Sequence, residues 1–141
     1  MKTSYYGRAK QITWPDQPVA ISRGIPYWYR GRVMQELAPT RAMLALPNDE
    51  FEAQMRARLD ALNPQEIAEK LGPNAVLLCW EKPFDRCHRR MVAEWLEEAL
   101  GIEIPELGYT RSETPAYATM HPKAPAPQPK SQRGPVQMTL L

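Results

Sequence analysis

The chain reads as one α/β domain, a single compact unit with a short, at least partly parallel sheet flanked by helices, followed by a disordered proline-rich C-terminal tail. Three observations predict this. The run Ala75-Val-Leu-Leu-Cys-Trp80 is apolar, too short for a buried helix and bounded by Gly72-Pro73 and Pro83, as a strand buried on both faces would be. After the loop Glu81 to Arg86, the residues Met91, Val92, Trp95, Leu96 and Leu100 form a helical stripe that stops at Gly101. Finally, the chain has 15 prolines in 141 residues, about twice the usual ~5%. Five of them, Pro122, Pro125, Pro127, Pro129 and Pro135, crowd the end where apolar residues are sparse.

The elements follow in order. Thr3, Tyr5 and Gly7 alternate with Ser4, Tyr6 and Arg8, and Pro18-Val-Ala-Ile-Ser-Arg-Gly24 carries a β-branched run, so both segments are expected as strands. Ile25 to Gly31, with Tyr27, Trp28 and Tyr29 packed together, is expected as a loop over the core. Asn48 is expected to cap a helix in which Asp49 and Glu50 favour the positive end and Phe51, Met55, Leu59 and Leu62 recur at helical spacing. Asn63-Pro64-Gln65-Glu66 restarts the pattern as cap, first-turn proline and third-position acid. Ile102 to Leu107 is expected as a short edge strand, because Pro105 has no N–H for a central one. The domain is expected over residues 1–110, a basic Pro-rich linker over 111–136 and a terminal peptide over 137–141.

Composition narrows the class. With 43% hydrophobic and 24% charged residues, the chain resembles an ordinary soluble domain, and no apolar run approaches the ~20 residues of a membrane span. The start lacks the apolar segment of a signal peptide, so a cytoplasmic location without membrane contact is expected. In that compartment Cys79 and Cys87 would default to free, catalytic or metal-bound thiols. The net charge of +2 divides unevenly: residues 1–41 hold seven Lys/Arg against two acids (+5), residues 42–110 seven against thirteen (−6), and residues 111–141 four against one (+3). Basic ends suit an anionic partner near the N-terminal segment.

Polar chemistry concentrates where the central strand ends, the position at which open α/β sheets bind ligands. Cys79 closes the strand, whereas Cys87, His88 and Arg89 open the helix, whose positive end favours a thiolate. His88 shares the face of Val92 and Leu96 and therefore points inward, where Glu81 or a backbone carbonyl would hold one ring nitrogen. Three uses of this set differ in their demands. A phosphatase-like loop from Cys79 to Arg86 is one residue too long, contains no glycine and carries Glu81 and Asp85, which repel phosphate. A zinc site at Cys79, Cys87 and His88 is chemically sensible but lacks the usual closely spaced cysteine pair. A nucleotide pocket would use Arg8, Arg23 and Arg89 on phosphate and the N-terminal aromatics on a base.

Thr3-Ser-Tyr-Tyr, Ile21-Ser-Arg-Gly-Ile-Pro26, Leu37-Ala-Pro39, Leu77-Leu-Cys-Trp-Glu-Lys82, Cys87-His-Arg89 and Ala93-Glu-Trp-Leu96 together resemble the "TSYF" branch of the domain of unknown function 488 family, from about residue 1 to 107. The resemblance implies an α/β domain with a pocket drawn from Tyr5, Arg8, Ser22, Arg23, Pro26, Cys79, Glu81, Cys87, His88 and Arg89, and no established reaction. The chain departs from the family's pattern after Asn48, where Gln54 and Met55 stand in the neighbourhood of an expected tyrosine. The last five residues, Gln137-Met138-Thr139-Leu140-Leu141, resemble the bacterial sliding-clamp-binding motif. There the leucines would fill an apolar groove, Met138 adapt to its wall and the Gln137 amide fix the register. Together these features lead to the expectation of a nucleotide- or DNA-related enzyme recruited to the sliding clamp in replication or repair. His88 or Glu81 would be its general acid/base, Cys87 its candidate nucleophile beside Cys79, and Arg8, Arg23, Arg89, Tyr5 and Ser22 its anion and nucleotide contacts. No cofactor is expected. The alternative is a non-catalytic clamp-binding adaptor whose Cys-His loop is structural, with zinc at Cys79, Cys87 and His88 as its variant. A third possibility, a redox-sensing pair, requires Cys79 and Cys87 within disulfide reach across the loop, which a Cα separation above about 7 Å would exclude without backbone movement.

Overall fold

The computed structural model describes residues 1–122. Four strands, β1 (Lys2–Tyr5), β2 (Gln17–Ala20), β3 (Arg32–Val33) and β4 (Ala75–Cys79), form one sheet in the order β1-β4-β2-β3, and every pairing is parallel. Three α-helices, α1 (Asn48–Asp60), α2 (Pro64–Leu71) and α3 (His88–Leu100), complete the α/β architecture. Because all strands run the same way, Tyr5, Ala20, Val33 and Cys79 bring the segments that follow them to one edge of the sheet.

The central strand explains the two-sided core. All five residues of β4 are buried, and their alternation feeds two clusters. Ala75 and Leu77 join Val19 and Ile21 under Met55 and Leu59 of α1, Ile67 and Leu71 of α2, and Val92 and Leu96 of α3. Val76 and Leu78 face the opposite way with Ala20 and Tyr6, covered by Ala9, Ile12, Ile25 and Tyr29. Helices therefore roof one face. The other is closed by the 3-10 turn Tyr6–Gln11 and the aromatic loop.

The helix boundaries follow local chemistry. The Asn63 side chain accepts hydrogen bonds from the backbone N–H groups of Gln65 (2.9 Å) and Glu66 (3.2 Å), as its cap position predicts. Arg32 of β3 donates to the carbonyls of Leu71 (2.8 Å) and Lys70, so a strand residue caps the C-terminal end of α2. Gly101 ends α3 in the left-handed region at φ 69°, which glycine adopts without a Cβ penalty.

Three expectations change. The alternation expected as a strand through Arg8 stops at Tyr5, where the 3-10 turn Tyr6–Gln11 begins. Asn48 is the first residue of α1, and Pro47 occupies the cap position without a side-chain bond. Ile102–Leu107 forms no strand. It runs beside β1 through one isolated bridge, Thr3 with Glu106, because Pro105 lends only its carbonyl (to Thr3 N–H, 3.0 Å) before Leu107 N–H returns to Thr3 (2.7 Å). The two-residue β3 had no sequence signal.

Beyond Leu107 the chain stays on the domain up to Pro122. Arg111 grips Glu97 of α3 through two bonds (2.6 and 3.0 Å), Tyr117 donates its hydroxyl to Glu52 of α1 (2.9 Å), and His121 bridges Asp85 in the strand-end loop. The terminal peptide Gln137–Leu141 and the linker from residue 123 lie outside the described residues.

Candidate functional site

The strand-end residues gather as the parallel sheet requires, but they split between its two faces. On the helix side, period-two alternation turns Cys79 toward the start of α3, where Cys87 occupies the cap position and His88 is the first helical residue. Cys79 and Cys87 are joined as a disulfide, with Cα atoms 7.1 Å apart. This corrects the expectation of free thiols: neither sulfur is a thiolate nucleophile in this state. His88 is buried, its Nε2 lies 2.5 Å from the Ile21 carbonyl, and its Nδ1 faces the sulfurs of Cys79 (3.6 Å) and Cys87 (3.9 Å). A carbonyl oxygen only accepts, so Nε2 is the donor in that bond, and Nδ1 is the ring nitrogen turned toward the sulfurs. The backbone, rather than Glu81, holds the ring.

On the opposite side, Tyr6 is the hub of an aromatic group. Its ring meets Trp80 (4.9 Å), Tyr29 (5.7 Å) and Trp28 (6.3 Å) edge to face. Its hydroxyl shares a 2.5 Å bond with Ser22 Oγ, and the Ser22 hydroxyl also reaches the Gly24 carbonyl (2.7 Å). Trp80 Nε1 donates to the same carbonyl at 2.8 Å. Burial outweighs the Ser22 bond and pushes the Tyr6 phenol up to about 12. Tyr6 is closed in, whereas Trp28 and Trp80 stand 40% and 39% exposed. The result is a fixed base carrying two accessible indoles.

The three arginines expected to meet one phosphate point in three directions. Arg89 is 1% exposed and pairs bidentately with buried Glu106 (Nε to Oε1 3.2 Å, Nη2 to Oε2 2.9 Å), while its Nη1 donates to the Glu81 carbonyl (2.8 Å). Its fork is fully used inside the fold. Arg8 reaches toward Leu107 (3.4 Å). Arg23 donates through Nε to the Pro39 carbonyl (2.8 Å), next to Arg58, whose Nε donates to Ala38 (2.7 Å). Burial first, then the charges of Arg58 and Arg41, lower the Arg23 pKa, marking a cationic corner beside Ser22. Tyr5 ends β1 half-buried against Gly7, and Pro26 is buried in the aromatic loop. Met55 is core, whereas Gln54 lines a groove beside Arg58.

Sequence reasoning missed Tyr6, Trp80 and Arg58 as site members and Glu106 as the partner of Arg89. For Tyr6 the signal was available: in an alternating strand it shares the face of Ser4 and lies one position past the last paired residue. Glu106 gave none, because its partner lies across an irregular segment.

The fold defines an α/β protein with a parallel sheet, and this strand-end constellation is its candidate site at the carboxyl edge. The model of the family described as "Domain of unknown function DUF488" matches residues 14–96, more than half of the chain, and the chain belongs to that family. No curated protein and no solved structure matches the chain. Among the described residues, no helix is long and apolar enough to cross a membrane.

Proposed function

We propose that this protein binds nucleotides or single-stranded nucleic acid at the carboxyl edge of its sheet, and that residues 137–141 recruit it to a DNA sliding clamp. The observation that carries the reading is the pair of accessible indoles, Trp28 and Trp80, set on Tyr6. Rigid, half-exposed aromatics offer stacking surface to any base at little entropic cost. The cationic corner of Arg23, Arg41 and Arg58 lies at the end of β2 and supplies attraction for phosphate. The described chain reaches Pro122 next to the strand-end loop, since His121 N–H donates to Phe84 (3.1 Å), so a clamp tether would begin beside the site.

Within this reading the adaptor is favoured over the enzyme by one observation. Cys87 is bonded to Cys79, His88 is held by Ile21 and Arg89 by Glu106, so cysteines and a histidine expected to react, and an arginine expected to bind an anion, serve to pin the loop to the sheet. Titration with a thymidine oligonucleotide, followed at the indole N–H resonances, is expected to move Trp28 and Trp80 while leaving buried Trp95 in place. Equal movement of all three, or none, removes the stacking site. Retention on an immobilised sliding clamp is expected for the full chain and is lost in Leu140→Ala plus Leu141→Ala. Retention unchanged by those substitutions removes the recruitment step.

A further inference from the structure

Cys79, Cys87 and His88 are buried and bring their two sulfurs and a ring nitrogen within 4.8 Å of one another. Their geometry goes beyond a cross-link. A tetrahedral zinc ion with Zn–S of about 2.3 Å and Zn–N of about 2.0 Å sets sulfur and nitrogen about 3.5 Å apart along each edge. Nδ1 already stands 3.6 Å from the Cys79 sulfur and 3.9 Å from that of Cys87. Nε2–H donates to the Ile21 carbonyl, the outer bond that metal-ligating histidines use to fix tautomer and ring angle. The Cα atoms of the cysteines are 7.1 Å apart, beyond the about 4.4–6.8 Å usual for disulfides, a spacing that suits two sulfurs standing about 3.8 Å apart on a common ion.

We propose that the disulfide and a zinc-class cation are alternative occupants of this corner: the reduced pair, with His88 Nδ1, forms a three-ligand site for a soft d10 divalent ion, and oxidation expels it. The steps balance. A phosphine, acting with water and leaving as its oxide, or a dithiol, leaving as its disulfide, delivers two electrons and two protons, so that the S–S bond breaks and both sulfurs become thiols. The cation then replaces the two thiol protons, which go to solvent, and forms two metal–sulfur bonds and one metal–nitrogen bond. A diazene or disulfide oxidant takes two electrons from the thiolates and two protons from solvent, the S–S bond re-forms and the cation leaves. Three protein ligands leave one position of a tetrahedron for water or another small ligand. Because the corner lies on the helix face of the sheet, opposite the indoles, the inference stands independently of nucleic-acid binding.

Cobalt(II), which gives thiolate-to-metal charge-transfer absorption in such sites, tests it on the full chain under inert gas. One Co2+ per reduced chain, with that absorption, displacement by Zn2+ and loss of the band on adding a diazene, is the expected result. The disulfide form is expected to show no band, and His88→Asn to weaken binding at least about 10-fold. Absence of the band in the reduced wild-type chain, whether circular dichroism reports it folded or unfolded, overturns the proposal. So does equal cobalt binding by the oxidised and reduced forms, a comparison that needs no variant to fold. A band unchanged in Cys87→Ser that remains folded likewise refutes it.

Discussion

Glu106→Gln removes the negative charge from the most completely buried ion pair among the described residues. The Glu106 carboxylate is 3% exposed, accepts from Thr3 Oγ1 (2.5 Å) and takes both arms of Arg89, itself 1% exposed. The substituted amide would keep one acceptor oxygen and turn an NH2 group toward the guanidinium, leaving a positive charge uncompensated in a dry site. Arg90 aggravates the loss. It is fully buried, its Nε and Nη2 have no hydrogen-bond partner among the described residues, and its pKa is lowered by burial and then by Arg111, with Glu97, Glu94 and Glu106 opposing. Breaking a buried pair at one end costs about 3–5 kcal/mol, a large share of the about 5–15 kcal/mol that holds a domain. Urea denaturation followed by far-ultraviolet circular dichroism reads this directly, and a cycle with Arg89→Met reads the coupling. We expect Glu106→Gln to lower stability by about 3 kcal/mol or more and the double variant to recover much of it. A loss under about 1 kcal/mol, or strict additivity, would show that water compensates the pair and that Arg89 is not committed to the interior.

Three further predictions follow from the same geometry. Burial raises the Tyr6 phenol from its ordinary 10.0 to about 12, so its contribution to stability is complete below pH 10 and is lost as pH rises through about 12, an effect of about 2–3 kcal/mol. Tyr6→Phe is expected to flatten that alkaline limb in a stability-against-pH profile, and an unchanged limb refutes the assignment. Asn63→Ala removes both cap bonds of α2 and is expected to cost about 1 kcal/mol in the same urea assay, with no change in the slope. Gly101→Ala forces a Cβ into the left-handed region and is expected to cost about 1 kcal/mol, although no side chain crowds the position.

Legibility followed how local each feature was. β4 and α3 could be read because an uninterrupted apolar pentapeptide and a 3.6-residue stripe each encode their own burial, and the cap of α2 lies within three residues of Asn63. Inward His88 was legible for the same reason. The roles of its neighbours were not, because they depend on what the sheet brings from afar. Glu106 reaches Arg89 only after the chain passes along β1, and the Arg58 guanidinium meets that of Arg23 through consecutive carbonyls of an irregular segment. Composition also misdirected the cysteine expectation: it weighed the compartment, whereas the strand end and the helix cap set the sulfurs side by side. Residues 111–122, proline-containing and expected as part of the linker, are anchored by Glu97, Glu94 and Glu52, acids that periodicity could place only on exposed helix faces.

Whether Trp28 and Trp80 present a stacking surface at the sheet's carboxyl edge is decided by fluorescence anisotropy of a labelled single-stranded oligonucleotide titrated with wild-type protein and with Trp80→Ala. Loss of one base–aromatic stack is worth about 1–3 kcal/mol, so the account predicts affinity reduced about 5- to 150-fold in a variant that remains folded. Equal affinity of the two proteins, or no binding by the wild type at low salt, would contradict it.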